Sequence, residues 1–241
     1  MSSSAEVNQQ YFNFHMPLTA TQQSKIAADY DQRFAKVFDA VNKELQGNAA
    51  FIGFKEGGRL LDYACGTGFV SICFSDIISQ AVGVDITENM IGAFNAKATS
   101  ANVPEDRRKA YFGNLLSNPP SASLEGRLFH DFDVAGVGMG FHHFEDTTLA
   151  ATRLAERLVT GGSLFILDFL PHYAEPHHNA ARGVHHLGFD EDNTRKMFEA
   201  AGAAGNFAYK KLNSEVLFED TPEQGQTMRR QLFLARGTKT A

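Results

Sequence analysis

The chain has 241 residues, of which 43% are hydrophobic and 21% charged, and its net charge is −6. This size and composition describe one ordinary domain, or one with a lid, that buries its own core, and they exclude a disordered or collagen-like chain. The acidic balance gives no general attraction to phosphate backbones, and no run approaches the roughly 20 apolar residues of a membrane span, so neither nucleic acid nor membrane is an expected partner.

In chain order, residues 1–50 read as a polar start followed by an amphipathic helix. Ile26, Ala27, Tyr30, Phe34, Val37, Phe38 and Val41 recur at threes and fours, and Gly47-Asn48 punctuates the end. The start lacks the apolar stretch of a secretory signal, and two Cys, at positions 65 and 73, make no disulfide framework; both features predict a cytoplasmic protein. From Arg59 short apolar runs alternate with helical patterns. The expected elements are a strand Arg59–Ala64, a helix Phe69–Ile78, a strand Gln80–Ile86 and a helix Thr87–Ser100 with Thr87 as N-cap. Then come strands Lys109–Leu116 and Phe132–Gly140, a helix Thr147–Val159 capped by Asp146 and ended by Gly161-Gly162, and an apolar strand Ser163–Leu170. A loop, Pro171–Gly188, carries five His, and Asp190 opens a helix through Ala201. Strands near Tyr209–Phe218 and Met228–Arg236 flank a polar link at Thr221-Pro222, which suits an antiparallel hairpin. Strand alternating with helix predicts a single α/β domain over 51–241, its mostly parallel sheet covered on both faces, with a helical lid or extension over 1–50.

The chemistry concentrates in Leu60-Leu61-Asp62-Tyr63-Ala64-Cys65-Gly66-Thr67-Gly68, with Gly83-Val84-Asp85 following. Gly66 and Gly68 let a backbone approach a ligand with no Cβ in the way, and the helix after them presents free N–H groups. Asp85, at the end of the next strand, suits a ribose diol. A dinucleotide turn would want a third Gly where Ser71 stands, and Asp62 would repel a pyrophosphate. An acid, then glycines, then a second acid favours S-adenosylmethionine over a nicotinamide dinucleotide. Taken singly, Asp62 also reads as a helix cap, Asp85 and Asn114 as turn residues and Met90 as core.

The segments LDYACGTG, GVDI, GNLL, FDVAGVGMGFHHFED and GGSLFILDF together resemble the class I S-adenosylmethionine-dependent methyltransferases, in particular a small-molecule branch with a fungal-type spelling. The resemblance is close over Arg59–Phe169 and looser beyond. It implies a Rossmann-like seven-stranded sheet with a reversed last strand. It also implies that Asp62, Ala64, Gly66 and Gly68 line the methionine portion of the cofactor. Asp85 would hold the ribose, with Ile86 and Met90 nearby, Asn114 and Leu115 on the adenine edge, and Val137 and Met139 beside the reactive methyl. Tyr30, in the N-terminal helix, matches a Tyr that the family often places near the cofactor, with Tyr11 a weaker match. Ala64 and Asn114 stand where Gly and Asp are commoner.

His142 and His143 follow the fourth strand and are the candidate bases for an acceptor that must lose a proton, although in many members of the resembling family this His supports the loop. His172, His177, His178, His185 and His186 show no metal-ligand spacing, so no metal is expected and a polar lid is the better reading. The expected activity is transfer of a methyl group to O, N or S of a small, partly apolar or aromatic metabolite in secondary metabolism. The alternative is a methyltransferase fold that binds S-adenosylmethionine without using its methyl group.

Overall fold

The computed structural model describes residues 6, 7, 9, 32, 35, 37–173, 183–219 and 227–240. Its strands are β1 (Arg59–Tyr63), β2 (Gln80–Asp85), β3 (Arg108–Phe112), β4 (Phe132–Gly138), β5 (Leu158–Phe169), β6 (Gly205–Glu219) and β7 (Thr227–Thr238). The helices α1 (Ala49–Ile52), α2 (Phe69–Cys73), α3 (Glu88–Ser100), α4 (Thr147–Glu156) and α5 (Glu191–Ala200) lie between them, and a further helical stretch runs over 37–47.

The seven strands form one sheet of order β3-β2-β1-β4-β5-β7-β6. β1 to β5 pair in parallel, whereas β7 runs antiparallel to both β5 and β6. The expected seven-stranded, Rossmann-like sheet with a reversed last strand is what the chain builds. Neighbouring strand residues point to opposite faces, so Leu60 and Leu61 enter different halves of the core. Leu164 and Ile166 of β5 join Leu61, Val82 and Leu154 on one face; Phe165 and Leu167 join Leu60, Val70 and Phe74 on the other. Val37, Val41 and Leu45 from the helical stretch also belong to that second cluster. Gly136 makes the closeness of β4 and β5 possible, since a Cβ there would sit 2.3 Å from the Phe165 ring.

Three local expectations need correction. The helix after the glycine turn stops at Cys73 rather than Ile78, because Phe74 and Ile78 bury in the core through a turn that swings the chain into β2. Lys109–Leu116 is strand only to Phe112; beyond it Asn114 folds the chain into a turn. Gly161-Gly162 does not end α4: the helix closes at Arg157, whose carbonyl accepts from Phe132 N–H at 3.0 Å, and the glycines lie inside β5. The caps divide. Asp146 accepts from Leu149 N–H at 2.8 Å and Asp190 from Asn193 N–H at 2.7 Å, while Thr87 occupies the N-cap position of α3 without a side-chain cap bond.

The strand order reverses between β1 and β4, which opens a crevice at their carboxyl ends. Every candidate site residue in the described part of the sheet lies at this edge or in the turns beyond it.

Candidate functional site

The turn after β1 uses left-handed backbone three times, at Ala64 (φ 52°), Gly66 (φ 52°) and Gly68 (φ 95°). The two glycines meet different surroundings. A Cβ on Gly68 would lie 2.8 Å from the Phe94 ring, whereas one on Gly66 would meet nothing within 4 Å among the described residues. Gly68 therefore serves packing, and nothing among the described residues crowds Gly66. The free N–H groups expected at the start of α2 are partly engaged: Gly68 N–H donates to Cys65 O at 2.9 Å and Ser71 N–H to Asp62 Oδ2 at 3.1 Å.

Asp62 is 1% exposed. Ser71 supplies both its backbone N–H and its hydroxyl (2.6 Å) to Oδ2. Burial lifts the Asp62 carboxyl to about 7, against the lowering effect of the two Ser71 hydrogen bonds. Ser71, which breaks the dinucleotide pattern, is thus the residue that fixes Asp62, and a nearby cation would favour its ionised form.

Asp85 ends β2 and is 8% exposed. Its Oδ2 accepts from Gly66 N–H and its Oδ1 from Thr87 N–H, both at 2.9 Å, so the acid and the glycine turn are held together across 19 positions. Burial raises its carboxyl above the usual range, opposed by these hydrogen bonds. When ionised the carboxylate is purely an acceptor, which matches the two hydroxyls of a ribose diol. Ile86 follows, half-buried, and its carbonyl accepts from Gln9 Nε2 at 2.9 Å, which brings Gln9 against this edge. Met90 is buried on α3. Asn114 lies in the turn beyond β3, with Leu115 buried beside it and the Tyr63 hydroxyl 3.2 Å from Asn114 Oδ1.

At the end of β4 the side chain of Val137 belongs to the core, so this residue offers the crevice only backbone. Met139 is left-handed (φ 60°), and its N–H donates to Leu167 O at 2.7 Å. A Cβ on Gly140 would touch Ala64 Cβ at 3.4 Å, so the β4 loop and the glycine turn adjoin.

His142 is 8% exposed, and its Nδ1 lies 2.8 Å from Oδ1 of Asp168, a residue 0% exposed at the end of β5. Asp168 Oδ2 also accepts from the His142 backbone N–H at 3.1 Å. Burial pushes the Asp168 carboxyl up, but the His142 ring and the N–H groups of Phe169 and His142 outweigh it and hold the group below the usual carboxylate range. An ionised carboxylate only accepts, so Nδ1 carries a proton toward Asp168, and Nε2 is the ring nitrogen left for other partners. The His143 ring lies tilted by 39° against His142 at 4.3 Å between ring centroids, and its Nδ1 donates to Gly183 O at 3.1 Å. Burial takes its imidazole down to about 3, so this ring stays neutral.

The His-rich loop returns to the same place: His185 and His186 N–H donate to the His142 carbonyl at 3.0 and 3.2 Å. The Phe169 ring is 5.1 Å from His142 and 6.3 Å from His172. Tyr30, Tyr11, His177 and His178 lie outside the described residues. Among the described residues no group of three or more His, Cys, Asp or Glu is placed to hold a metal ion.

Sequence reasoning missed Asp168, Ser71, Tyr63 and Gln9 as parts of this edge. Two of them carried a signal: Asp168 is the one charge inside SLFILDFL, and Tyr63 a lone hydroxyl in RLLDY. The uncrowded side of Gly66, the two-oxygen acceptor at Asp85 and the buried acid at Asp62 fit S-adenosylmethionine, which has a ribose diol and a positive charge.

Comparison with known proteins agrees with this geometry. An uncharacterised methyltransferase of Schizosaccharomyces pombe is 28% identical over 195 residues, which cover 77% of this chain and 68% of that protein. A ubiquinone/menaquinone biosynthesis C-methyltransferase of Shewanella halifaxensis is 30% identical over 140 residues, covering 56% of this chain and only 50% of its own length. Phosphoethanolamine N-methyltransferase 2 of Haemonchus contortus, solved with phosphomonomethylethanolamine and S-adenosylhomocysteine, superposes with a TM-score of 0.69 at 14% identity, covering 100% of this chain and 61% of that one. Magnesium protoporphyrin IX methyltransferase of Synechocystis, solved with its cofactor bound, gives 0.57 at 16% identity over 99% of both chains. A family model described as a methyltransferase domain matches residues 31–205, and the chain belongs to that family.

Proposed function

We propose that the chain is an S-adenosylmethionine-dependent methyltransferase acting on O, N or S of a small, partly apolar or aromatic metabolite, with His142 as the proton acceptor. Asp62, Ala64, Gly66 and Gly68 would hold the methionine portion, Asp85 the ribose, and Ile86, Met90, Asn114 and Leu115 the adenine. When bound, S-adenosylmethionine supplies a methyl group already activated by its sulfonium. The protein then has to align the acceptor, exclude water and remove a proton where the acceptor carries one.

One observation carries the acceptor side of this reading: the His142 ring, fixed through Nδ1 by buried Asp168, has its second ring nitrogen uncommitted to Asp168 at the carboxyl edge of β4. Phe169 and His172 supply ring surfaces beside it, which suits a flat or apolar acceptor. The relatives named above include a C-methyltransferase and an N-methyltransferase, so family membership leaves the acceptor atom open. A proton-accepting imidazole favours an acceptor that has a proton to lose. The fungal small-molecule setting, the cytoplasmic location and a lid function for residues 1–50 are parts of the same proposal; the S. pombe relative and the Gln9 contact at Ile86 support the first and the last.

The test is methyl-labelled S-adenosylmethionine incubated with panels of phenols, amines and thiols. Label should appear on at least one class, and His142→Gln should keep cofactor binding while transfer falls by roughly 100-fold or more. Cofactor binding without transfer to any panel would favour the non-transferring alternative, and an undiminished His142→Gln rate would remove the ring from the mechanism.

A further inference from the structure

The loop that joins β3 to β4 starts at the cofactor edge and ends at the opposite edge of the sheet. Its first turn is closed by Asn114 N–H on Ser121 Oγ (2.9 Å) and Ser121 N–H on the Asn114 carbonyl (3.0 Å). Two 3₁₀ turns follow, Ala122–Leu124 and Arg127–Phe129, before β4 begins at Phe132. The Leu124 side chain is fully buried and lies on Gly113, where a Cβ would come within 2.6 Å of it. Gly113 N–H in turn donates to the Asp85 carbonyl at 3.1 Å. Through Gly113, Leu124 therefore bears on both Asp85 and the turn that carries Asn114 and Leu115.

Leu124 is held by Arg157, the residue that closes α4 and whose carbonyl meets the amino end of β4. Arg157 is 3% exposed, and its guanidinium is engaged by the loop. Nη1 donates to the Leu124 carbonyl at 3.0 Å and to His130 Nε2, and Nη2 donates to Glu125 Oε1 at 3.0 Å. A guanidinium only donates, so His130 Nε2 presents its lone pair and the ring is neutral, with its proton on Nδ1. A proton on Nε2 would set two donors and two positive charges against each other. The charged groups around His130 are Arg157 and Glu156 at the end of α4, Glu125 in the loop and Asp131 beside it, while Arg59 of β1 donates to its backbone carbonyl at 2.8 Å. Burial, and after it the Arg157 charge, hold the imidazole below its usual value against the weaker pull of the three acids.

We infer that Arg157 is a positioning residue for the base-binding edge and that His130 is the pH-sensitive part of its grip: neutral His130 keeps the loop tied down, and a proton on it opens the tie and lowers cofactor affinity. The inference rests on the cofactor reading above, in which Asp85 holds the ribose and Asn114 and Leu115 the base. Arg157 acts on them through Leu124. Linkage fixes the sign. A site that binds better with His130 neutral loses affinity as pH falls through the His130 midpoint, which lies below that of a free imidazole, and bound cofactor must lower that midpoint by the same factor. A coupling of about fivefold corresponds to about 0.7 in pH.

The experiment is calorimetric titration of the full chain with S-adenosylhomocysteine between about pH 5 and pH 8, on the parent and on His130→Gln, whose amide oxygen accepts from Arg157 without titrating. The two should bind alike at pH 8, and at pH 5 the parent should be weaker than the variant by about fivefold or more. Asp62 and Asp85 titrate in both proteins, so the ratio of the two affinities reports His130. Arg157→Lys, which keeps the charge and loses the fork, should bind about fivefold more weakly even at pH 8. In the parent, the imidazole NMR signal of His130 should show its midpoint falling by about 0.7 on saturation with S-adenosylhomocysteine, a readout that needs no variant to fold. Parallel pH profiles for parent and His130→Gln, or a midpoint that the ligand leaves in place, would overturn the inference while leaving the cofactor reading intact. Failure of the parent to bind at any pH would overturn the cofactor reading, and the inference with it.

Discussion

Asp62→Asn should make the protein more stable at alkaline pH while weakening the cofactor site. The Asp62 carboxyl is lifted from 3.8 to about 7, chiefly by burial. Its folded value lies above its unfolded value, so the folded state keeps the proton longer. Stability therefore falls as pH climbs from the unfolded value and levels off above about 7. At about 1.4 kcal/mol per unit, the ionised group costs roughly 4 kcal/mol at pH 8, of which roughly 3 kcal/mol accrues between pH 5 and pH 8. An Asn at this position never ionises, and its Oδ1 still accepts both Ser71 hydrogen bonds. Urea denaturation of both proteins across this range is the assay. The stability of the variant relative to the parent should rise by roughly 3 kcal/mol from pH 5 to pH 8, about 6–12 °C in midpoint for a domain of this size. Asp85 is present in both proteins and enters the difference only through its charge, a lesser contribution to the rise of Asp62. Ser71→Ala, which removes one of the two lowering hydrogen bonds, should move the parental transition to higher pH. Parallel pH profiles for parent and Asp62→Asn would refute the reasoning, because burial would then not be acting on Asp62.

Gly66→Ala and Gly68→Ala should separate binding from folding. At Gly66 the new Cβ meets nothing among the described residues but sits at a left-handed φ, so about 1 kcal/mol of stability is lost while S-adenosylhomocysteine affinity falls at least tenfold; at Gly68 it strikes the Phe94 ring, and chemical denaturation should show the larger loss. Asp168→Ala leaves three N–H donors at His142 and Phe169 without their acceptor and should cost about 3 kcal/mol in urea unfolding. The Asp168 carboxyl is held below its usual value, so its contribution is present above the unfolded value and is lost as pH falls through the folded one; the gap to the variant should narrow on acidification. Gly136→Ala drives a Cβ into the Phe165 ring and the Phe165 carbonyl, and soluble yield and thermal midpoint should both fall steeply.

The sheet was legible because its strands are short apolar runs whose alternate residues feed two core faces, as Leu60 and Leu61 do. The glycine turn and Asp85 were legible because chemistry restricts residue type there: Gly66 and Gly68 occupy left-handed backbone, and Asp85 alone reaches both Gly66 N–H and Thr87 N–H. Element ends were less legible. Gly161-Gly162 looks like a helix stop, but pairing of Phe132 with Leu158 claims the chain earlier, and tertiary pairing outweighs the local signal. Partnerships across the fold left the weakest trace. Nothing local marks Asp168 as the partner of His142, 26 positions away, or Tyr63 as the partner of Asn114, 51 positions away; parallel strand order brings them together.

The central claim is that Asp85 and the glycine turn form a nucleoside-cofactor site at the carboxyl edge of the sheet. Calorimetric titration with S-adenosylmethionine and S-adenosylhomocysteine, on the unmodified protein and on Asp85→Ala, tests it most directly. Binding in the micromolar range by the unmodified protein, lost in the variant together with the acceptor for the ribose hydroxyls, is the predicted result. Absence of binding by the unmodified protein, or equal binding by the variant, would contradict it.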